Sequence, residues 1–161
     1  MVILFREEQR FRQLWIWLLI GGVAALQWWG FIQQIILGQP WGDNPAPDWM
    51  LWLLWLSIGI GMPAFFLYLR LIVTVTPEAV EIHFRPLSRR TIPIAEIVAV
   101  EAGEYSPLRQ YGGWGIRGLG NNRAYSISGK QGVALTLTDG RKLLIGSLRA
   151  NELADAIVAA R

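Results

Sequence analysis

Apolar positions crowd the first half of the chain. From about Leu14 to Leu37, and again from Trp49 to Leu69, hydrophobic residues follow one another with few interruptions. A helix of about 20 such residues is long enough to cross a bilayer. In the first stretch Gln27, Gln33 and Gln34 break the run, and Gln27 and Gln34, two helical turns apart, share a face. That face should look at protein or headgroups rather than lipid tails. The second stretch carries no charge; Pro63 should kink it, next to Gly59 and Gly61. The small-residue pairs Gly21/Ala25 and Ser57/Gly61 would let two helices approach closely. Residues 38–48, GQPWGDNPAPD, read as the loop between them.

Beyond Arg70 the period changes. LIVTVT (71–76) is β-branched and reads as a strand. After a turn at Pro77-Glu78-Ala79, Val80, Ile82 and Phe84 alternate with Glu81, His83 and Arg85, as a strand with one buried face requires. Pro86 to Arg90 reads as a basic turn. Thr91 to Ile97, broken by Pro93, reads as an edge strand or a bent one. Val98 to Tyr105 is another strand, followed by a Gly-rich segment from Ser106 to Asn122. Tyr125 to Ser128 resumes a strand that turns at Gly129–Gly132 into Val133–Thr138. Asp139-Gly140 predicts a type I′ hairpin turn, with Lys142 to Ile145 returning. Ala150 to Ala160 forms an amphipathic helix with Leu153, Ile157, Ala156 and Ala160 on its apolar stripe.

The pattern therefore predicts an α+β chain: a helical hairpin over residues 1–70, then a β domain of about seven strands over residues 71–161, capped by one helix. Composition sharpens this. Hydrophobic residues make up 53% and charged residues 17%, against about 25% charged in a soluble domain, and nearly all of the excess lies before Arg70. Eight of the nine tryptophans lie in that half, and tryptophan favours the membrane–water interface. Arg6, Arg10 and Arg12 precede the first stretch, Arg70 follows the second, and the loop has no Lys or Arg. By the positive-inside rule both termini should be cytoplasmic. A cleaved leader is the alternative for Leu14–Ala25. Against it, the apolar run continues past Ala25, and Glu7 and Glu8 sit where a basic segment belongs.

Cysteine is absent and His83 is the only histidine, which removes disulfides, thiolate chemistry and multi-histidine metal sites. A formal net charge of +3, with no basic stripe interleaved with aromatics, gives no reason to expect nucleic acid.

A run of short antiparallel strands closed by a C-terminal helix is similar to the pleckstrin-homology-like (PH-like) arrangement. VTVTPEAVEIHF resembles the opening hairpin of bacterial PH-like domains, IPIAEIVAVE their third strand and the segment after it, and GVALTLTDGRKLLIGSLRANELADAI their last hairpin and helix. EYSPLRQYGGWGIR, followed by AYSISGKQGV, resembles a subset of small two-helix bacterial membrane proteins, largely uncharacterised. The resemblance implies a PH-like antiparallel barrel or sandwich, a scaffold rather than a reaction. Eukaryotic relatives of that fold often bind phosphoinositides through a basic loop between the first two strands. Here that loop is Thr76-Pro77-Glu78-Ala79, short and acidic.

Gly113-Trp114-Gly115-Ile116-Arg117-Gly118 matches G-x-G-x-x-G. The dinucleotide motif needs a strand before it, a helix after it and a βαβ unit around it. Leu119-Gly120-Asn121-Asn122 starts a helix poorly, so no nucleotide cofactor is expected. Two readings of this segment stay open. It is a structural bulge, or it is an interaction surface presenting Tyr111, Trp114 and Arg117, residue types that recur at interface hot spots. Arg85, Arg89 and Arg90 form a basic turn that is either solvated or faces anionic lipid. His83 sits on a polar face without catalytic partners. Glu96, Glu101 and Glu104 are scattered, with no metal cluster expected.

Taken together, these features predict a non-catalytic, membrane-anchored interaction or scaffolding module. Its partners would be the bilayer and either other proteins or a second copy of itself, with no cofactor. Two alternatives are an accessory or assembly subunit of a larger membrane complex and an anionic-lipid-sensing membrane protein.

Overall fold

The computed structural model describes residues 2–118 and 120–161 and divides into two compact units, Arg12–Tyr68 and the combination of Met1–Phe11 with Leu69–Arg161.

The helical unit contains α1 (Leu14–Ile36) and α2 (Asp48–Tyr68), both long and apolar enough to cross a membrane. Only 22% and 11% of their most apolar windows are buried. Their contact is aromatic. Phe31 stacks on Trp55 with centroids 4.4 Å apart and meets Trp52 edge-on, and Trp28 meets Trp55 edge-on. Such pairs contribute roughly 0.5–1.5 kcal/mol beyond area burial.

The expected close-approach pairs are not the contact. Gly21 has nothing within 4 Å of where a Cβ would stand, and Ser57 is exposed. The helix glycines that make close approaches are Gly30, against the Trp41 ring, and Gly59, against Trp55, Gln27 and Trp28. Gln34 Nε2 donates to the Ala46 carbonyl at 2.7 Å and to Asp48 at 2.8 Å, so this polar face is used to tie the loop to α1.

Pro63 expresses itself as a π-helical stretch, Trp55–Gly61, just ahead of it. Proline has no N–H, so the Gly59 carbonyl lacks its ordinary donor four residues on. The Trp28 indole N–H reaches that carbonyl at 3.2 Å. A carbonyl left unmet in apolar surroundings is costly. Trp28→Phe is therefore expected to destabilise the hairpin by roughly 1–2 kcal/mol, while Trp29→Phe, on an exposed side chain, changes little. Reversible unfolding in bicelles measures the difference, and equal effects would remove this account of Trp28.

In the β unit, β1 (Phe5–Arg10), β2 (Arg70–Val75), β3 (Ala79–Arg85) and β4 (Ser88–Pro93) form an antiparallel sheet in that order. β1 departs from the sequence expectation. Residues 5–10, read as the charged flank of a helix, pair along their whole length with β2, from Phe5↔Val75 to Arg10↔Arg70. The helical hairpin is thus inserted between two neighbouring strands, and the β unit begins before it.

The second sheet holds β5 (Ile97–Glu104), β6 (Gly115–Arg117), β7 (Asn122–Ser126), β8 (Gln131–Leu137) and β9 (Lys142–Gly146) in the order β5-β8-β9-β7-β6. It is mixed rather than wholly antiparallel. β7 lies parallel beside β9 instead of forming a hairpin with β8. The β8–β9 connection also differs from the type I′ turn. Asp139 keeps negative φ, Gly140 alone takes φ +81°, and the Gly140 N–H donates to Leu137 O at 2.9 Å. That is a three-residue loop with glycine in the left-handed position.

Two short helices complete the unit, α3 (Pro107–Tyr111) and α4 (Ala150–Ala160). α4 contacts β1 and β2 of the first sheet and β5 and β8 of the second. Its buried stripe is Ala150, Leu153, Ala154 and Ile157, spaced for one helical face. Leu153 and Ile157 are fully buried, as are Val73 and Ile82 from one sheet and Leu135 and Ile145 from the other.

Candidate functional site

Three regions concentrate polar chemistry. The first is the join between β1 and the end of β9. Phe5, Glu7 and Gln9 point inward and Arg6, Glu8 and Arg10 outward. Glu7 is buried; it accepts hydrogen bonds from the Ser147 hydroxyl and, at 2.9 Å, from the Leu148 N–H. The Gln9 amide donates to the Gly146 carbonyl at 2.8 Å. Arg149 lies 4.7 Å above the Phe5 ring and donates to the Arg6 carbonyl. This is a structural clasp, with both buried polar side chains engaged on the backbone of the β9–α4 corner.

The second region is the outward face of the first sheet. Residues directly opposite in an antiparallel sheet share a face, so the register fixes its membership. Arg10, Arg70 and Arg85 lie side by side across β1, β2 and β3; the next outward row is Glu8, Ile72, His83 and Arg89. Glu8 bridges Arg10 at 2.9 Å and Arg70 at 3.3 Å, and the Arg10 hydrogen bond holds its carboxyl below the usual range. Arg89 reaches Glu81 at 3.7 Å, and Arg85 has no ion pair among the described residues. Burial, with Arg89 and Arg85 nearby, pushes the His83 imidazole below its ordinary pKa against the opposing pull of Glu81. His83, Arg85, Pro86, Leu87, Ser88 and Arg89 line an open depression of ≈ 340 Å³.

The basic turn expected from Arg85, Arg89 and Arg90 is thus split. Arg85 and Arg89 share the depression, whereas Arg90 stands opposite Ile82 on the other side of the sheet. Arg10 and Arg70 belong to the same outward face, yet sequence adjacency does not mark them. The one available signal is that each closely flanks an apolar stretch.

The third region is the Gly-rich segment. Tyr111, Trp114 and Arg117 each have partners of their own, and the last two touch one another. Tyr111 packs edge-on against Tyr105, 6.3 Å between centroids, and its hydroxyl meets Asn122 Oδ1 at 3.4 Å. Trp114 is half-buried and donates its indole N–H to the Gly129 carbonyl at 3.0 Å; Arg117 Nε folds back onto the Trp114 carbonyl at 3.1 Å. The glycines of the G-x-G-x-x-G match have backbone reasons of their own. Gly113, Gly115 and Gly118 take φ of +129°, +114° and +88°, and a strand, β7, follows rather than a helix. Leu119, which follows the last of them, lies outside the described residues. Beside this segment Tyr105 is laid over Gly132 and Gly146, and burial raises its phenol pKa. An open groove of ≈ 240 Å³ next to it is edged by Glu101, Glu104 and Tyr111.

Glu96, Glu101 and Glu104 do not gather, and among the described residues no three His, Asp or Glu side chains are grouped to hold a metal ion. Compared with known proteins, the chain is matched by a family model over its full length, residues 1–161. No curated protein and no solved structure matches it.

Proposed function

The chain belongs to the family of unknown function DUF6141, and from that premise we propose that it is a two-span membrane protein whose PH-like β unit works as a non-catalytic interaction module at the cytoplasmic surface. The observation that carries this is the pairing of β1 with β2. These strands flank the apolar hairpin, and they are hydrogen-bonded neighbours. Both ends of the hairpin must therefore emerge on one side of any bilayer, so the helices cross together or not at all. The exposure of α1 and α2 favours crossing, because so much apolar surface is tolerated in lipid and not in water. The clasp at Glu7 and Gln9 opposes the cleaved-leader alternative, since cleavage after Ala25 would strip the first sheet of a strand.

The antiparallel strands β2, β3 and β4, a second sheet and a bridging C-terminal helix support the PH-like reading, with β1 and the parallel β7–β9 pair as departures from it. The accessory-subunit alternative draws on the polar residues of the first helix. Gln34 donates its amide inside the hairpin, while its Oε1 is buried without a partner, so that motive stands in part.

The sequence lacks cysteine, so single cysteines report topology directly. In spheroplasts, Asn44→Cys in the interhelical loop is expected to react with an impermeant maleimide from outside, and Val2→Cys and Arg161→Cys only after lysis. Labelling of loop and termini from the same side would overturn the two-span reading.

A further inference from the structure

We propose that the outward face of the first sheet, at the end from which the hairpin departs, is a seat for the anionic phosphate headgroups of the bilayer that α1 and α2 cross. The inference rests on the two-span reading and adds a ligand class to it.

Four observations carry it. The outward face holds Arg6, Arg10, Arg70, Arg85 and Arg89 against Glu8 and Glu81. That excess of three positive charges equals the formal net charge of the whole chain, +3, so elsewhere the chain is balanced and here it is not.

Those charges are also unevenly placed along the strands. The row Arg10–Arg70–Arg85 has no carboxylate of its own and borrows Glu8 from the next row, which leaves Arg85 without an acid and Arg70 Nε buried without a partner. Neighbouring strands lie about 4.8 Å apart, and like charges directly opposite one another are destabilising. An anion laid across the row relieves that repulsion. The row towards the opposite end of the sheet, Arg6–Thr74–Glu81–Thr91, is charge-balanced.

Chain connectivity puts the arginine row at the bilayer. Arg10 precedes Leu14 by four residues and Arg70 follows Tyr68 by two. At about 3.5 Å per extended residue these are reaches of roughly 14 Å and 7 Å, comparable with the roughly 5–8 Å headgroup layer on each side of the hydrocarbon core.

The β3–β4 turn lies at this same end of the sheet, directly after Arg85. It combines the Arg85/Arg89 depression with Leu87, a 58% exposed leucine at its tip. An apolar tip between two guanidinium groups matches a surface that is apolar below and anionic above, and guanidinium groups bind phosphate oxygens in bidentate fashion.

The test uses the full chain in nanodiscs of phosphatidylcholine, or of phosphatidylcholine and phosphatidylglycerol in equal parts. A fluorophore on Ser88→Cys reports contact through a lipid-borne quencher. Quenching is expected to be stronger in anionic discs, to fall with added salt, and to lose roughly fivefold in contact odds for each arginine removed in Arg10→Gln, Arg70→Gln and Arg85→Gln. The corresponding lysine triple variant should retain it, and hydrogen exchange in β2 and β3 confirms that the variants fold. Equal quenching in both lipids, or full quenching in the glutamine triple variant, would overturn the inference. Inorganic phosphate reproducing the response in neutral discs would assign the seat to a small free anion and overturn the bilayer assignment. A chain that does not enter discs at all sinks the two-span reading, and the inference with it. A chain that enters, but whose turn ignores lipid charge, sinks the inference alone.

Discussion

Glu7→Ala is expected to lower the stability of the β unit by roughly 2–4 kcal/mol, because it removes a charge-assisted acceptor and strands its donors. The Glu7 carboxylate is buried and receives both the Ser147 hydroxyl and the Leu148 N–H at the start of the β9–α4 corner. Alanine leaves the buried Ser147 hydroxyl and the half-buried Leu148 N–H without this partner, and a void beside them. Glutamine keeps one acceptor oxygen but brings an amide that needs an acceptor, so Glu7→Gln should lose about half as much. Glu8→Ala is the control. One position along, it points outward and engages only Arg10 and Arg70, and a surface pair of this kind contributes at most about 1 kcal/mol. Urea unfolding of the full chain in detergent, with hydrogen exchange read at the β1 and β2 amides, separates the three. If Glu8→Ala costs as much as Glu7→Ala, the clasp is not what holds β1 in place.

Gly118→Ala should destabilise the Gly-rich segment by a similar amount, roughly 2–4 kcal/mol, through two independent costs. Gly118 takes φ +88°, where an L side chain is strained, and a Cβ there would stand 2.0 Å from the Asn122 carbonyl oxygen. The obstacle is backbone at the entrance to β7, so the neighbour cannot rotate aside. Gly120→Ala provides the comparison, since it shares positive φ but has nothing within 4 Å. The difference between the two variants in thermal unfolding isolates the steric part. Indistinguishable melting temperatures would mean that the close approach at Gly118 has no weight.

Much of the β unit is legible in the sequence because one strand face is apolar. In β3, Val80, Ile82 and Phe84 alternate with polar residues and are buried as the period requires. β1 escapes for the opposite reason. Two of its inward residues are Glu7 and Gln9, and their burial depends on partners 140 and 137 residues away. No local pattern encodes that. The partner of β7 is hidden because Gly129–Gly132 looks like a hairpin turn. In the structure that turn is engaged by other segments. Its Gly129 carbonyl takes the Trp114 indole and its Lys130 carbonyl takes the Tyr105 N–H, while β7 pairs with β9. For the candidate site, Arg85 and Arg89 are visible from their closeness in sequence. Arg10 and Arg70 become their neighbours only through strand register, and register likewise moves Arg90 to the other side.

The β1–β2 ladder bears on biogenesis as well as stability. β1 leaves the ribosome before either apolar helix, and its partner β2 leaves after both. In a two-span protein the ladder closes only when the second helix has returned the chain to the side where the first began. A chain with one helix left uninserted, or held in the wrong direction, keeps its first and second strands on opposite sides of the bilayer. It exposes the unpaired edge of β2 and the unfilled corner at Ser147. In a two-span protein of this kind, closure of the sheet would thus depend on correct insertion of both helices, and a misinserted copy would present an open strand edge.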